Sequence, residues 1–235
     1  MDINRFDTKE EASAAGGEAL NRLLMDAKDM PVLLLLSGGS SFSILDYVNT
    51  KALGENLTIT MLDERFSQEA DANNFLQFQK LDFYSRAQGA DVNFIGTLPR
   101  PNENLDDMRA RLEIGIKDWQ KNNPSGKIFA VFGMGADGHT AGIFPYPEDS
   151  DFFSKNFENS HFISGYKAEG KHEHPERITG TFSLFKNVDE AILFVCGQDK
   201  KTALEKLLKG ADQPHTLPAV GIYETKHFQI FTDIK

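Results

Sequence analysis

Apolar positions recur at helical spacing over residues 10–27, where Ala12, Ala15, Ala19, Leu20, Leu23 and Leu24 fall roughly on one face. Pro31 closes that stretch. Val32–Leu36 follows as an unbroken apolar run, the pattern of a strand covered on both faces of a parallel sheet. Ser37-Gly38-Gly39-Ser40-Ser41 comes next, and helical spacing resumes over 42–48. The same alternation continues along the chain. A strand over 57–62 delivers Asp63-Glu64-Arg65, a helix is predicted over 72–81 and a short strand over 91–95. A helix over 105–121 carries Trp119, and an apolar strand over 127–132 runs into Gly133-Met134-Gly135-Ala136-Asp137-Gly138-His139. Beyond Pro145-Tyr146-Pro147 the pattern loosens into an acidic, Phe-rich stretch over 148–158. Segments 161–166 and 178–184 read as strands flanking a polar loop, 191–196 as a strand, 200–209 as a helix and 227–232 as a last strand.

Strands alternating with helices predict an α/β fold, with a mostly parallel, Rossmann-like sheet and helices on both faces. No internal repeat or linker divides residues 1–235, so a single domain is expected. In such sheets ligands bind beyond the carboxyl ends of the strands. The three most polar segments, those at Ser37, Asp63 and Gly133, all fall there.

Composition narrows the function. With 40% hydrophobic residues, 19 of them Phe, the chain can bury a large core. Its net charge of −10, from 25 basic and 35 acidic residues, argues against a nucleic-acid partner, which needs a dense basic stripe. Any anion must instead meet a local cluster of amides and cations. The one cysteine, Cys196, lies in an apolar run and excludes an internal disulfide. The polar N-terminus has no signal-like segment, and no apolar run is long enough to span a bilayer, so a cytoplasmic protein without a membrane partner is expected.

Glycines at Ser37-Gly38-Gly39-Ser40 let backbone amides approach an anion at a helix start. Arg65 is suited to bidentate recognition of phosphate or carboxylate, with Asp63 beside it to accept from sugar hydroxyls or to orient a partner group. In Gly133–Pro145 three glycines within six residues, Gly133, Gly135 and Gly138, set Asp137 and His139 side by side. A carboxylate two residues from an imidazole can fix its tautomer and make it a general base. His172-Glu173-His174 lacks the spacing of zinc motifs, and no metal site is expected. His161, His215 and His227 read as ordinary surface or boundary residues.

The segment GMGADGHTAGIFP resembles the signature loop of the 6-phosphogluconolactonases, commonly GMGxDGHTASLFP. Ser37-Gly38-Gly39-Ser40, Asp63-Glu64-Arg65, Pro175-Glu176-Arg177-Ile178-Thr179, Gly197-Gln198-Asp199-Lys200 and Leu217-Pro218-Ala219 resemble that family's other motifs in order and spacing. The resemblance implies the sugar-phosphate isomerase/deaminase fold and hydrolysis of 6-phospho-D-glucono-1,5-lactone without metal or organic cofactor, in the oxidative pentose phosphate pathway. It implies His139 as base, Asp137 as its supporting carboxylate, and Arg65, Arg177 and Lys200 as anion-binding residues beside Gly38, Gly39 and Ser40. The implied partner is a phosphorylated sugar lactone, met by a monomer or small homo-oligomer. The rivals are a glucosamine-6-phosphate deaminase or related isomerase, and a non-catalytic sugar-phosphate sensor. The chain departs from the family in three places: Asn73-Asn74-Phe75 where Ser-Asn-Tyr is frequent, Gly142 where Ser is usual, and Ser41-Phe42 in place of Thr-Pro.

Overall fold

The computed structural model describes every residue, Met1–Lys235. Its ten strands are β1 Asp2–Arg5, β2 Val32–Leu36, β3 Leu57–Met61, β4 Asp63–Arg65, β5 Asn93–Ile95, β6 Lys127–Gly133, β7 Ile163–Lys167, β8 Glu176–Gly180, β9 Glu190–Val195 and β10 His227–Thr232. The α-helices are α1 Lys9–Asp26, α2 Asn74–Phe78, α3 Asp82–Gly89, α4 Leu105–Asn122, α5 Ser150–Phe157, α6 Phe182–Phe185 and α7 Lys201–Lys209. Seven strands form one all-parallel sheet in the order β1-β10-β9-β6-β2-β3-β5. The remaining three form a small antiparallel sheet, β4-β8-β7.

The apolar run of β2 is buried at all five positions, and its side chains alternate between two cores. Leu33 and Leu35 join Ala130, Phe132 and Leu193 in packing against Met108, Leu112 and Ile116 of α4 and Leu204 and Leu207 of α7. Val32, Leu34 and Leu36 join Ile59, Val131 and Phe194 in packing against Leu20 and Leu24 of α1 and Phe83 of α3. Helices therefore cover both faces, as the sequence pattern predicts.

The chain leaves β2 for β3 on one side and later returns to β6 on the other. The carboxyl ends of β2 and β6 thus flank a topological switch point, where the connections diverge and leave a crevice.

Several elements differ from the sequence reading. The segment after the Gly38-Gly39 turn is a 3₁₀ helix, Gly39–Tyr47, rather than an α-helix over 42–48. The helix expected over 72–81 is the short α2, followed by a separate α3. The Phe-rich stretch forms α5, capped by the Asp149 carboxylate accepting from Phe152 N–H at 2.9 Å. Segment 178–184 splits into the end of β8 and the start of α6, because Thr181 turns the chain. Asp63-Glu64-Arg65 is itself a strand, too short to show a period but paired with β8.

Gly17 shows how tightly α1 is set against the 3₁₀ helix that follows the glycine turn. A Cβ at Gly17 would overlap the carbonyl oxygen of Ile44 and the Cβ of Tyr47. In an exposed helix Gly→Ala stabilises by about 1 kcal/mol. Here the clash outweighs that gain, so Gly17→Ala lowers stability by about 1–3 kcal/mol. Urea denaturation checks the sign.

Candidate active site

The switch point opens into a cleft of about 360 Å³, within the usual range for small-molecule sites. Each predicted segment contributes to it from a different strand end. Ser37, Gly38, Gly39 and Ser40 come after β2, Asp63 and Arg65 from β4, and His139 from the loop after β6. Arg177 comes from β8 and Lys200 from the turn after β9. Of the predicted residues only Asp137 is outside the cleft wall, and it stands behind His139.

His139 Nδ1 lies 2.6 Å from Asp137 Oδ1, which also accepts the His139 backbone N–H at 3.1 Å. A carboxylate at Nδ1 selects the tautomer with its proton there, leaving the Nε2 lone pair free to accept another. Burial would raise the Asp137 carboxyl, but the hydrogen bond and charge of His139 hold it below the usual carboxylate range. Phe144 packs against the His139 ring, centroids 5.0 Å apart. Gly135 leaves room for this arrangement, since a Cβ there would overlap His139 Cε1 and Nδ1. The loop is pinned by Gly135 N–H to His139 O (2.9 Å), Ala219 N–H to Gly138 O (3.0 Å) and Thr140 Oγ1 to Gly133 O (2.7 Å). Gly138 and Gly142, at φ 83° and 68°, supply left-handed turns that a side chain would strain. The N–H groups of Met134, Ala141 and Gly142, all in the cleft lining, have no protein acceptor.

The cationic side is built by strand pairing. Arg65 and Arg177 are directly opposed across β4 and β8 and so point from the same sheet face. Arg65 Nη1 donates to Asn74 Oδ1 at 2.5 Å and to Ala72 O at 3.0 Å. Arg177 is only 2% exposed, and its Nε is buried with no partner. Its guanidinium lies over the Phe144 ring, 5.3 Å from the centroid. Burial and then the charge of Arg65 lower the proton affinity of Arg177, without discharging a guanidinium. No ion pair in the molecule includes Arg65, Arg177 or Lys200. Opposed like charges left unpaired in a protein of net charge −10 form a site shaped for an anion.

A buried carboxylate holds this side in place. Glu64 is 1% exposed and accepts from the backbone N–H of Arg65 (2.8 Å), Asn74 (2.6 Å) and Phe75 (2.9 Å) and from Thr97 Oγ1 (3.0 Å). Burial pushes its carboxyl up to about 7, while these four donors pull the other way. Asn74, so anchored, donates Nδ2–H to Asp63 O at 2.9 Å and approaches Asp63 Oδ2 at 3.4 Å. Its amide fills the space a Cβ on Gly38 would need. Sequence reasoning did not single out Glu64, because a burial of that depth follows only from the β4–β8 pairing.

The departures at 73–75 and 142 have structural readings. Phe75 lies in the core against Phe78 and Tyr84, away from the cleft, so the hydroxyl absent there faces no ligand. At Gly142 a Cβ would come within 3.0 Å of Asp63 Oδ2. The residue that sequence reasoning set aside is His172, which lines the cleft. Its charged, irregular loop gave no periodic signal. No group of three His, Cys, Asp or Glu side chains converges closely enough to hold a metal ion.

Residues 7–231 match the family model described as "Glucosamine-6-phosphate isomerases/6-phosphogluconolactonase". A 6-phosphogluconolactonase of Helicobacter pylori is 27% identical over 203 residues, covering 85% of this chain and 82% of the relative. The fold is shared with two crystal structures of 6-phosphogluconolactonases. That from Shewanella baltica has a TM-score of 0.76 at 20% identity, covering 99% of this chain and 97% of its own. That from Thermotoga maritima has a TM-score of 0.75 at 19% identity, covering 98% of each.

Gly135→Ala gives a direct test of the His139 geometry. The partly exposed imidazole can swing away at little cost, so the variant keeps its melting temperature. It loses the contact with Asp137, seen as disappearance of the downfield Nδ1–H proton resonance of His139. A resonance unchanged from wild type would mean that the clearance at Gly135 does not set the ring position.

Proposed function

Because the chain belongs to the glucosamine-6-phosphate isomerase/6-phosphogluconolactonase family, we propose that its cleft hydrolyses 6-phospho-D-glucono-1,5-lactone to 6-phosphogluconate. The observation that carries this reading is the joining of the His139–Asp137 pair and the unpaired Arg65, Arg177 and Lys200 in one cleft. The first supplies a base and the second a charge match for a phosphate ester.

In this mechanism His139 Nε2 takes a proton from a water whose oxygen attacks C1 of the lactone. Such general-base help contributes about 10²–10⁴-fold. Asp137 stabilises the imidazolium as it forms. The carbonyl oxygen becomes an oxyanion, met by the unpartnered N–H groups around Met134 and Gly142. Each such donor contributes about 10²–10³. The C1–O5 bond then breaks, and the imidazolium returns its proton to O5, giving the hydroxy acid. Asp63 accepts from sugar hydroxyls. The phosphate, held by the Gly38–Ser40 amides, Arg65, Arg177 and Lys200, positions C1 beside the base with energy drawn from outside the reacting centre.

Glucosamine-6-phosphate deamination is the reading this site favours less. Ile143-Phe144-Pro145 follows the base, where such enzymes usually carry an Asn-Glu-Pro-Gly run, and Phe144 closes an apolar ring face over His139.

Purified protein should accelerate the loss of freshly generated 6-phosphogluconolactone with no metal added, followed by acid release at constant pH. His139→Ala should lower kcat by about 10²–10⁴ and leave the affinity for 6-phosphogluconate almost unchanged. A rate no greater than spontaneous hydrolysis would reject the proposed activity, and a His139→Ala variant with wild-type kcat would remove the base from it.

A further inference from the structure

The cleft holds a second imidazole in the opposite tautomer. His172 sits on the loop joining β7 and β8, and His174 N–H donates to its Nδ1 at 3.2 Å. In the neutral ring Nδ1 is then the acceptor and Nε2 carries the proton. His139 is set the other way, with its proton at Nδ1 and an open lone pair at Nε2. Phe144 touches both rings, its centroid 5.0 Å from that of His139 and 6.4 Å from that of His172, and Arg177 lies over the same Phe144 ring. One wall of the cleft therefore presents an acceptor imidazole, a guanidinium and a donor imidazole around one aromatic side chain.

We propose that His172 belongs to the phosphate subsite, donating Nε2–H to the phosphate of the bound sugar alongside Arg65 and Arg177. The inference rests on the phosphate-ester reading of the cleft and adds a contact to it. Three observations carry it. The ring is exposed to the cleft and makes no side-chain hydrogen bond that would occupy Nε2. Arg177 of β8 and Arg65 of β4 are the charges of those strands that act on it most, and Asp63 of β4 lines the same cleft. On its own loop Glu173 and His174 act on it with opposite signs.

Burial, then Arg177 and Arg65, hold its proton affinity below the ordinary histidine value. The ring thus faces the cleft as a neutral donor, until an anion offsets the guanidiniums. A bound phosphate dianion cancels their field and raises that affinity again.

The test uses the full chain, with isothermal titration of 6-phosphogluconate into wild type, His172→Phe, His172→Gln and His174→Ala. His172→Phe keeps a ring against Phe144 but has no donor, and binding should weaken about 10- to 100-fold, as for a lost hydrogen bond to a charged group. His172→Gln retains an N–H and should recover most of that loss. His174→Ala, which alters the same loop outside the cleft lining, should bind as wild type. In parallel, the His172 Cε1–H resonance is followed against pH. Its midpoint should move upward with saturating 6-phosphogluconate and stay in place with gluconate at the same concentration.

Wild-type affinity in His172→Phe, or a midpoint indifferent to 6-phosphogluconate, would overturn the proposal. These readouts separate the two readings. A protein that binds 6-phosphogluconate through His172 but hydrolyses no lactone would lose only the proposed activity. Hydrolysis with His172→Phe binding normally would remove only His172.

Discussion

Two arginines directly opposed across a strand pair, neither of them in an ion pair, are the constraint around which the rest of the site is arranged. Like charges at such a position are destabilising, and burying one of them at 2% exposure adds a desolvation cost. The fold tolerates this because the surroundings leave the guanidiniums few other places to go. Asn74 and the Ala72 carbonyl hold Arg65 from one side, and the Phe144 ring lies under Arg177. An anion entering the cleft relieves the repulsion and satisfies the free donors together. In the proposed function, affinity for phosphate draws on this unrelieved repulsion, which acts at contact range despite the net charge of −10.

The small antiparallel sheet makes that arrangement possible. The large parallel sheet supplies the switch-point crevice, the glycine turn and the His139 loop, all from adjacent strand ends. The β4-β8-β7 sheet adds Arg65, Arg177 and the loop of His172 to the same cleft. Glu64 ties it down through three backbone amides and a threonine hydroxyl. A buried carboxylate with four donors is costly to disturb, so the position of Arg65 is fixed by a residue that never meets the ligand.

Much of this was legible in the chain itself. The buried strands announced themselves as unbroken apolar runs, and the polar segments at Ser37, Asp63 and Gly133 became site candidates from their places at strand ends, while Arg177 and Lys200 entered through the family resemblance. Eight of the nine candidates line one cleft, and the ninth, Asp137, stands behind the base. What could not be read has a common cause. β1 and β4 are four and three residues long, too short to display a period, and exist by virtue of their partners β10 and β8. The opposition of Arg65 to Arg177 is likewise a matter of register between segments far apart in sequence. His172 lies in an irregular loop, and only its place in the cleft lining suggests the role proposed for it. The substitutions of Phe75 and Gly142 could be interpreted only once the one was seen in the core and the other beside Asp63.

The central claim is that the opposed arginines take the phosphate and thereby place C1 of the sugar at His139. A crystal structure of the protein with 6-phosphogluconate bound tests it most directly. The account predicts phosphate oxygens within hydrogen-bond distance of Arg65 and Arg177, at the Gly38-Gly39 turn, with the C1 carboxylate beside His139 Nε2. The reverse orientation, with the C1 carboxylate on the arginines and the phosphate against His139, would contradict it.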